Sequence, residues 1–112
     1  PEKLLQIASY AHTYVICNDD IIVGTGSITS YWGSKTESIL LTIFVLPEYH
    51  GKGFGRMIIE TLEQDELFLR ASRIEIPASI TACKFYEKMG YRYKNNIKTL
   101  DDEGHYKMEK IR

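Results

Sequence analysis

The sequence is poor in cysteine and has no long hydrophobic run. Cys17 and Cys83 are the only cysteines in 112 residues. They lack the spacing of metal ligands, and two do not make a disulfide framework. Both read as reduced, half-buried packing residues of a cytoplasmic protein. No apolar run approaches the roughly 20 residues of a spanning helix, and no signal-peptide pattern is present. Neither charge sign dominates: 14 basic against 15 acidic residues leave a formal charge of −1. That excludes the electrostatic footprint expected for nucleic acid or an anionic membrane. Repeats, linkers and low-complexity segments are also missing, so residues 1–112 read as a single domain with one core. The first residue, Pro1, is not Met, which reads as a processed chain or a piece of a longer one.

Glycine is what the sequence places deliberately. An apolar run, Ile39 to Leu46, ends at Pro47, and His50-Gly51-Lys52-Gly53-Phe54-Gly55-Arg56 follows. The segment from Phe54 to about Leu69 then reads as helix, with Phe54, Ile58, Leu62 and Leu69 on one side and a solvated acidic face. The order is strand, glycine-rich turn, helix. Glycine lets a chain turn sharply and brings its amides close to a ligand, and the first N–H groups of a helix lack intrahelical partners. Residues 51–56 are therefore expected to seat a phosphate or pyrophosphate. The glycines fit neither G-x-G-x-x-G nor the Walker pattern G-x-x-x-x-G-K-[ST], which disfavours a nucleotide-binding module.

The rest of the chain supplies a mixed α/β fold. Leu4, Ile7, Ala8 and Ala11 have helical spacing and predict a helix over residues 2–11. Residues 13–29 read as a hairpin turning at Asn18-Asp19-Asp20. Tyr31 to Ser34 is a loop, read equally as a hydrophobic cap or a substrate contact. Glu37 to Val45 is a strand buried on both faces. Arg73 to Ile76 is a short strand closed by Pro77, which predicts a parallel crossover. Ser79 is the expected N-cap of a helix running to Met89, with Gly90 after it. Tyr91 to Tyr93 and His105 to Glu109 are the last strands, antiparallel to each other.

Two stretches carry a family resemblance. Val45-Leu46-Pro47 followed by His50-Gly51-Lys52-Gly53-Phe54-Gly55 resembles the coenzyme A loop of the GNAT N-acetyltransferases, [Q/R]-x-x-G-x-[G/A], with His50 in the Gln/Arg place. Ser79 to Tyr91 resembles the second signature, N-x-x-A-x-x-F-Y-E-K-x-G-F, with Ala82, Phe85, Tyr86, Glu87, Lys88 and Gly90 matching. Ser79 stands for the usual Asn and Tyr91 for the usual Phe. The resemblance implies the acyl-CoA N-acyltransferase fold: a mixed, mostly antiparallel central sheet with helices on both faces. It also implies that the usual N-terminal strand and first helix are absent from this chain.

The activity implied is direct transfer of acetyl from acetyl-CoA to a primary amine of a small molecule or protein, with no metal. By the resemblance, Tyr86 is the acid at the CoA sulfur. Ile43, Phe44 and Val45 pair with the pantetheine arm. His50, Gly51, Lys52, Gly53, Phe54, Gly55 and Arg56 hold the pyrophosphate, and Ser79 touches the CoA arm. Glu37 is the expected base, Glu75 the runner-up, and His50 and His105 are further candidates by their chemistry. His12 reads as a surface residue, and Cys83 has no catalytic role. Partners implied are acetyl-CoA, an amine acceptor and, by family habit alone, a second copy of the chain. The alternative is a CoA-binding sensor or regulatory module with little transferase activity.

Overall fold

A computed structural model describes residues 2–6 and 11–112, the former through their backbone pairing alone. Strands β1 (Glu2–Gln6), β2 (His12–Asn18), β3 (Ile21–Ser30), β4 (Glu37–Val45), β5 (Arg73–Ala78), β6 (Arg92–Tyr93) and β7 (Tyr106–Ile111) form one sheet. Their order is β1-β2-β3-β4-β5-β7-β6. The β4–β5 pairing is parallel and every other pairing is antiparallel. The sheet is thus mixed and mostly antiparallel, as the sequence indicated.

The hairpin turns where Asp19 takes φ 57°, a left-handed conformation that Asp tolerates. The helix expected at residues 2–11 is not observed at residues 2–6, which form β1 against β2, from Glu2 opposite Asn18 to Gln6 opposite Tyr14. Four apolar residues at helical spacing are a weak stripe, and β2 offers an edge of backbone groups that a strand can pair with. The remainder of that expected helix, residues 7–10, lies outside the described residues. Among the described residues, β1 is the strand at this edge of the sheet.

Helices α1 (Phe54–Leu62), α2 (Glu66–Leu69) and α3 (Cys83–Lys88) bury their apolar sides in one core. Ile58, Ile59 and Leu62 of α1 meet Val23, Ile28 and Leu40 of the sheet, all fully buried. Each such side chain contributes about 1.5–3 kcal/mol through burial. These helices share the sheet face of Ser38, Leu40, Ile76 and Met108; Ser38 Oγ donates to the Leu67 carbonyl of α2 at 2.8 Å. Among the described residues the opposite face carries no helix. It carries an ion cluster instead.

The helix expected from Phe54 to Leu69 is interrupted. Asp65 caps α2 by accepting from Leu67 N–H at 2.9 Å. Its carboxylate also takes the Tyr14 hydroxyl at 2.6 Å and His12 Nδ1 at 2.8 Å. His12 is accordingly not a surface residue; it is half-buried against a carboxylate that tethers the α1–α2 junction to β2. Burial and then Asp65 push the Tyr14 hydroxyl up to about 12. No helix among the described residues is long and apolar enough to cross a membrane.

Candidate acyl-transfer site

The site begins with a defect in β4. Glu37 to Ile39 pair with Arg73 to Glu75 of β5, and the two strands part beyond that point. On the other side of β4 the register with β3 shifts between Thr25 and Ser27. The extra residue is Thr42, at φ 53°. A β-branched residue in the left-handed region is strained, and its hydroxyl is held between Ser27 Oγ (2.9 Å) and the Leu41 carbonyl (2.7 Å). The bulge re-aims Ile43, Phe44 and Val45 along a free edge. This corrects the expectation that β4 is buried on both faces: only Ser38 and Leu40 are buried, and Phe44 is 54% exposed. The apolar run lines cavities rather than core.

One cavity, of about 810 Å³, opens on the helix side of this gap. Ile43, Phe44 and Val45 form one wall, and Ser79, Phe85 and Tyr86 the other. His50, Gly51, Gly53, Phe54, Gly55 and Arg56 close one end. The sequence-predicted binding residues are therefore brought together, with the exception of Lys52, which is exposed and does not line the cavity.

The glycine turn has the geometry of an anion seat. Gly51 and Gly53 take φ 78° and 83°, and a Cβ on either would meet nothing within 4 Å. The first intrahelical bond of α1 runs from Met57 N–H to Gly53 O at 3.0 Å. The N–H groups of Phe54, Gly55 and Arg56 precede it, without intrahelical acceptors. His50 closes the turn onto the sheet by donating from Nε2 to the Val45 carbonyl at 2.7 Å. A side chain at its position therefore ties the loop to β4. Gly55 lies against Phe85, whose Cζ is 3.4 Å from where a Cβ would stand, so the turn also packs on α3.

Tyr86 sits on α3 with 6% exposure, and burial pushes its hydroxyl up to about 12. A protonated phenol at neutral pH is a hydrogen-bond donor. Ser79 does not cap α3 through its side chain: residues Ile80–Ala82 form a 3-10 turn first, and the Ser79 carbonyl accepts from Ala82 N–H at 3.0 Å and from Cys83 Sγ at 3.4 Å. Ser79 still lines the cavity.

Tyr86, Ser79, Ala82 and Ile43 also border a second cavity of about 590 Å³. It lies on the far side of the gap, lined further by Thr42, Glu75, Asp101, Glu103, His105 and Lys107. Tyr86 is thus the wall common to two spaces. Sequence reasoning missed the bulge at Thr42, for which no local signal exists, and the role of residues 101–105 as cavity lining.

Glu37 is not brought to either cavity. It begins β4, six residues before Ile43, a distance of about 20 Å along a strand. There it pairs with Arg73 Nη1 at 2.9 Å. Arg73 also pairs with Glu75, and its Nε with Glu109 at 2.8 Å. Lys94 Nζ meets Glu75 at 2.9 Å. Burial raises the Glu75 carboxyl, but Lys94 and Arg73 outweigh it and hold the group below the usual range. The Tyr31 ring covers this cluster, 5.2 Å from the Arg73 guanidinium carbon and 5.6 Å from Lys94 Nζ. Trp32 lines neither cavity and stands 90% exposed. The aromatic loop therefore caps ions rather than apolar surface.

The description "Acetyltransferase (GNAT) domain" fits residues 9–93, more than half of the chain. No curated protein sequence matches. Similar solved structures include the PaiA N-acetyltransferase of Thermoplasma acidophilum in complex with coenzyme A. It is 17% identical with TM-score 0.74, over 91% of this chain and 61% of that one. An acetyltransferase of the GNAT family from Staphylococcus aureus Mu50 is 18% identical with TM-score 0.73, over 90% and 68%. Escherichia coli ElaA is 15% identical with TM-score 0.74, over 93% and 70%. The chain thus spans about two thirds of the length of these proteins. With a sheet parted at a strand bulge, a glycine turn at a helix start, and a domain match across both signatures, the chain belongs to the GNAT acetyltransferase family.

Proposed function

We propose that the protein transfers an acetyl group from acetyl-CoA to a primary amine by direct attack. The observation that carries this reading is Tyr86, a buried phenol bordering both cavities. Acetyl-CoA in the 810 Å³ cavity supplies an activated thioester. The N–H groups of residues 54–56 face its pyrophosphate, with Arg56 adding charge. The parted edge of β4 at Ile43 offers backbone groups to the pantetheine amides, as an added strand does, while the Val45 carbonyl is already taken by His50. The glycines fit this group: the space beside Gly51 and Gly53 is open where phosphate oxygens need room.

The amine occupies the second cavity and attacks across the gap. Alkyl ammonium groups have pKa near ~10.4, so a proton must leave before attack. Tyr86, protonated at neutral pH, donates its hydroxyl proton to the departing sulfur. Positioned proton transfer contributes about 10²–10⁴-fold, and holding both substrates across one gap contributes much of the remainder.

The test is acetyl-CoA titration by calorimetry, followed by CoA release with a panel of amines. Micromolar binding and turnover are expected, with Tyr86→Phe binding acetyl-CoA normally and turning over at least about tenfold more slowly. Binding without turnover for any amine would instead assign the chain to CoA sensing.

A further inference from the structure

The transferase reading above leaves the proton acceptor for the amine unassigned, and the surroundings of the second cavity narrow the choice. Glu37 lies outside both cavities and is paired with Arg73. Glu75 lines the second cavity, but Arg73 and Lys94 hold it as a carboxylate that resists protonation. Asp101 accepts the backbone N–H groups of Glu103 and His105, both at 2.9 Å, and these bonds keep it low as well. His12 is occupied by Asp65, and His50 gives its Nε2 to the Val45 carbonyl. His105 lines the same cavity as Tyr86 and directly precedes β7.

The local chain fixes it there. Residues 101–105 close on themselves: Asp101 N–H donates to the His105 carbonyl at 2.8 Å, and His105 N–H returns to Asp101 Oδ1. Gly104 makes the turn at φ 80°. β7 then pairs Tyr106 with Ala78 and Lys107 with Pro77, so His105 stands level with Ser79, which precedes the 3-10 turn leading into α3 and Tyr86. Alternation along a strand puts His105 and Lys107 on one side, the side of the second cavity. Tyr106 turns the other way and packs edge-on to Tyr93 at 5.6 Å.

We infer that His105 is the general base that takes the proton from the acceptor ammonium in the second cavity. A neutral imidazole carries a nitrogen lone pair that can accept a proton, and the other ring nitrogen can pass one on to solvent. The ammonium gives its first proton to His105. The amine lone pair then forms the C–N bond to the acetyl carbonyl. As the C–S bond breaks, Tyr86 protonates the sulfur and is reprotonated through solvent by the second N–H proton of the adduct. His105 releases its proton to solvent, so one proton is lost per acetamide formed. The titratable groups that line the cavity with His105 are Asp101 and Glu103 from its own turn, Lys107 from β7, Glu75 from β5 and Tyr86 from α3. The carboxylates favour a cationic acceptor at the mouth.

The experiment follows CoA release from acetyl-CoA with spermidine, lysine and 2-phenylethylamine across the pH range of both imidazole and amine. His105→Gln and His105→Asn are compared with wild type and with Glu103→Gln. The expected result is a loss in kcat/KM of at least about 100-fold at neutral pH for both His105 variants. That loss narrows toward the amine's own pKa near ~10.4, where free amine no longer needs a base. Acetyl-CoA affinity by calorimetry stays within about twofold of wild type, which separates this result from misfolding. A loss below about tenfold in either His105 variant, a loss that does not change with pH, or the same pH-dependent loss in Glu103→Gln overturns the assignment while leaving the transferase reading intact. Wild type that binds acetyl-CoA yet acetylates none of the amines overturns the transferase reading, and the base with it.

Discussion

Gly26 and Gly53 are both glycine, for opposite reasons. At Gly26 a Cβ would stand 2.5 Å from Ile58 Cγ2 and 3.1 Å from Leu62 Cδ1, so α1 rests directly on the backbone of β3. At Gly53 a Cβ would meet nothing, but φ is 83°. The first position is defined by what already fills it, the second by what has yet to enter. Packing glycines carry stability, and open glycines at positive φ shape a turn. The two are linked because α1, held down by Gly26, begins at the turn that Gly53 shapes.

The largest effect is expected where that contrast is broken on the packed side. Gly26→Asn forces a branched chain into the α1 contact, and overpacking of this kind costs about 1–3 kcal/mol or more. A domain of this size loses about 4–8 °C in Tm per kcal/mol, so a thermal melt should fall by roughly 4–24 °C. Gly53→Asn sharpens the same comparison, since Asn tolerates left-handed φ and the space is free. Its Tm should stay within a few degrees. Gly53→Glu adds about 1–2 kcal/mol of left-handed strain and puts a carboxylate at the proposed phosphate seat; Tm should fall by several degrees and acetyl-CoA affinity by calorimetry at least about 100-fold. His50→Ala removes one hydrogen bond between loop and strand, and about 1 kcal/mol corresponds to roughly a fivefold weaker Kd.

The smallest effect concerns the face without helices. Glu75 titrates below the usual carboxylate range, so the stability it contributes is complete above its unfolded value of about 4.3 and is lost as pH falls through the lower folded value. Glu75→Gln should therefore flatten the acid side of a Tm-against-pH curve below about pH 4.3 and lower Tm modestly at pH 7. An unchanged acid limb in the variant would assign that stability to Glu37 or Glu109 instead.

The glycine turn and the helix that carries Tyr86 were legible in the sequence because their geometry is local. A turn geometry, a helix start and a signature helix each occupy consecutive residues. The strands of β2 to β5 were legible for the same reason, through β-branched runs and turn residues. What was not legible depends on residues far apart in the chain. Glu37 reads as a base only until Arg73 arrives beside it from β5. Asp65 reads as one of several acids on a helix face until His12 and Tyr14 show that it interrupts that helix. Thr42 has no local mark at all, because the strain it bears is imposed by register with β3. The strand at Glu2–Gln6 was hidden by a short helical stripe, since the competing edge of β2 is visible only in three dimensions.

The bulge at Thr42 has a consequence for solubility. Exposed strand edges invite other chains to pair with them, and proteins normally blunt such edges with charge, proline or a covering element. β4 carries an unpaired edge from Leu40 to Val45 rich in β-formers, the composition most prone to templated pairing. Here that edge is recessed in a slot between β4 and the wall formed by Ser79, Phe85 and Tyr86. A neighbouring polypeptide would have to displace that wall to reach the edge, so Ser79, Phe85 and Tyr86 cover it as a helix or loop covers other exposed edges. The parting of the sheet thus brings its own cover, since the lead-in to α3 stands where an intruding strand would pair.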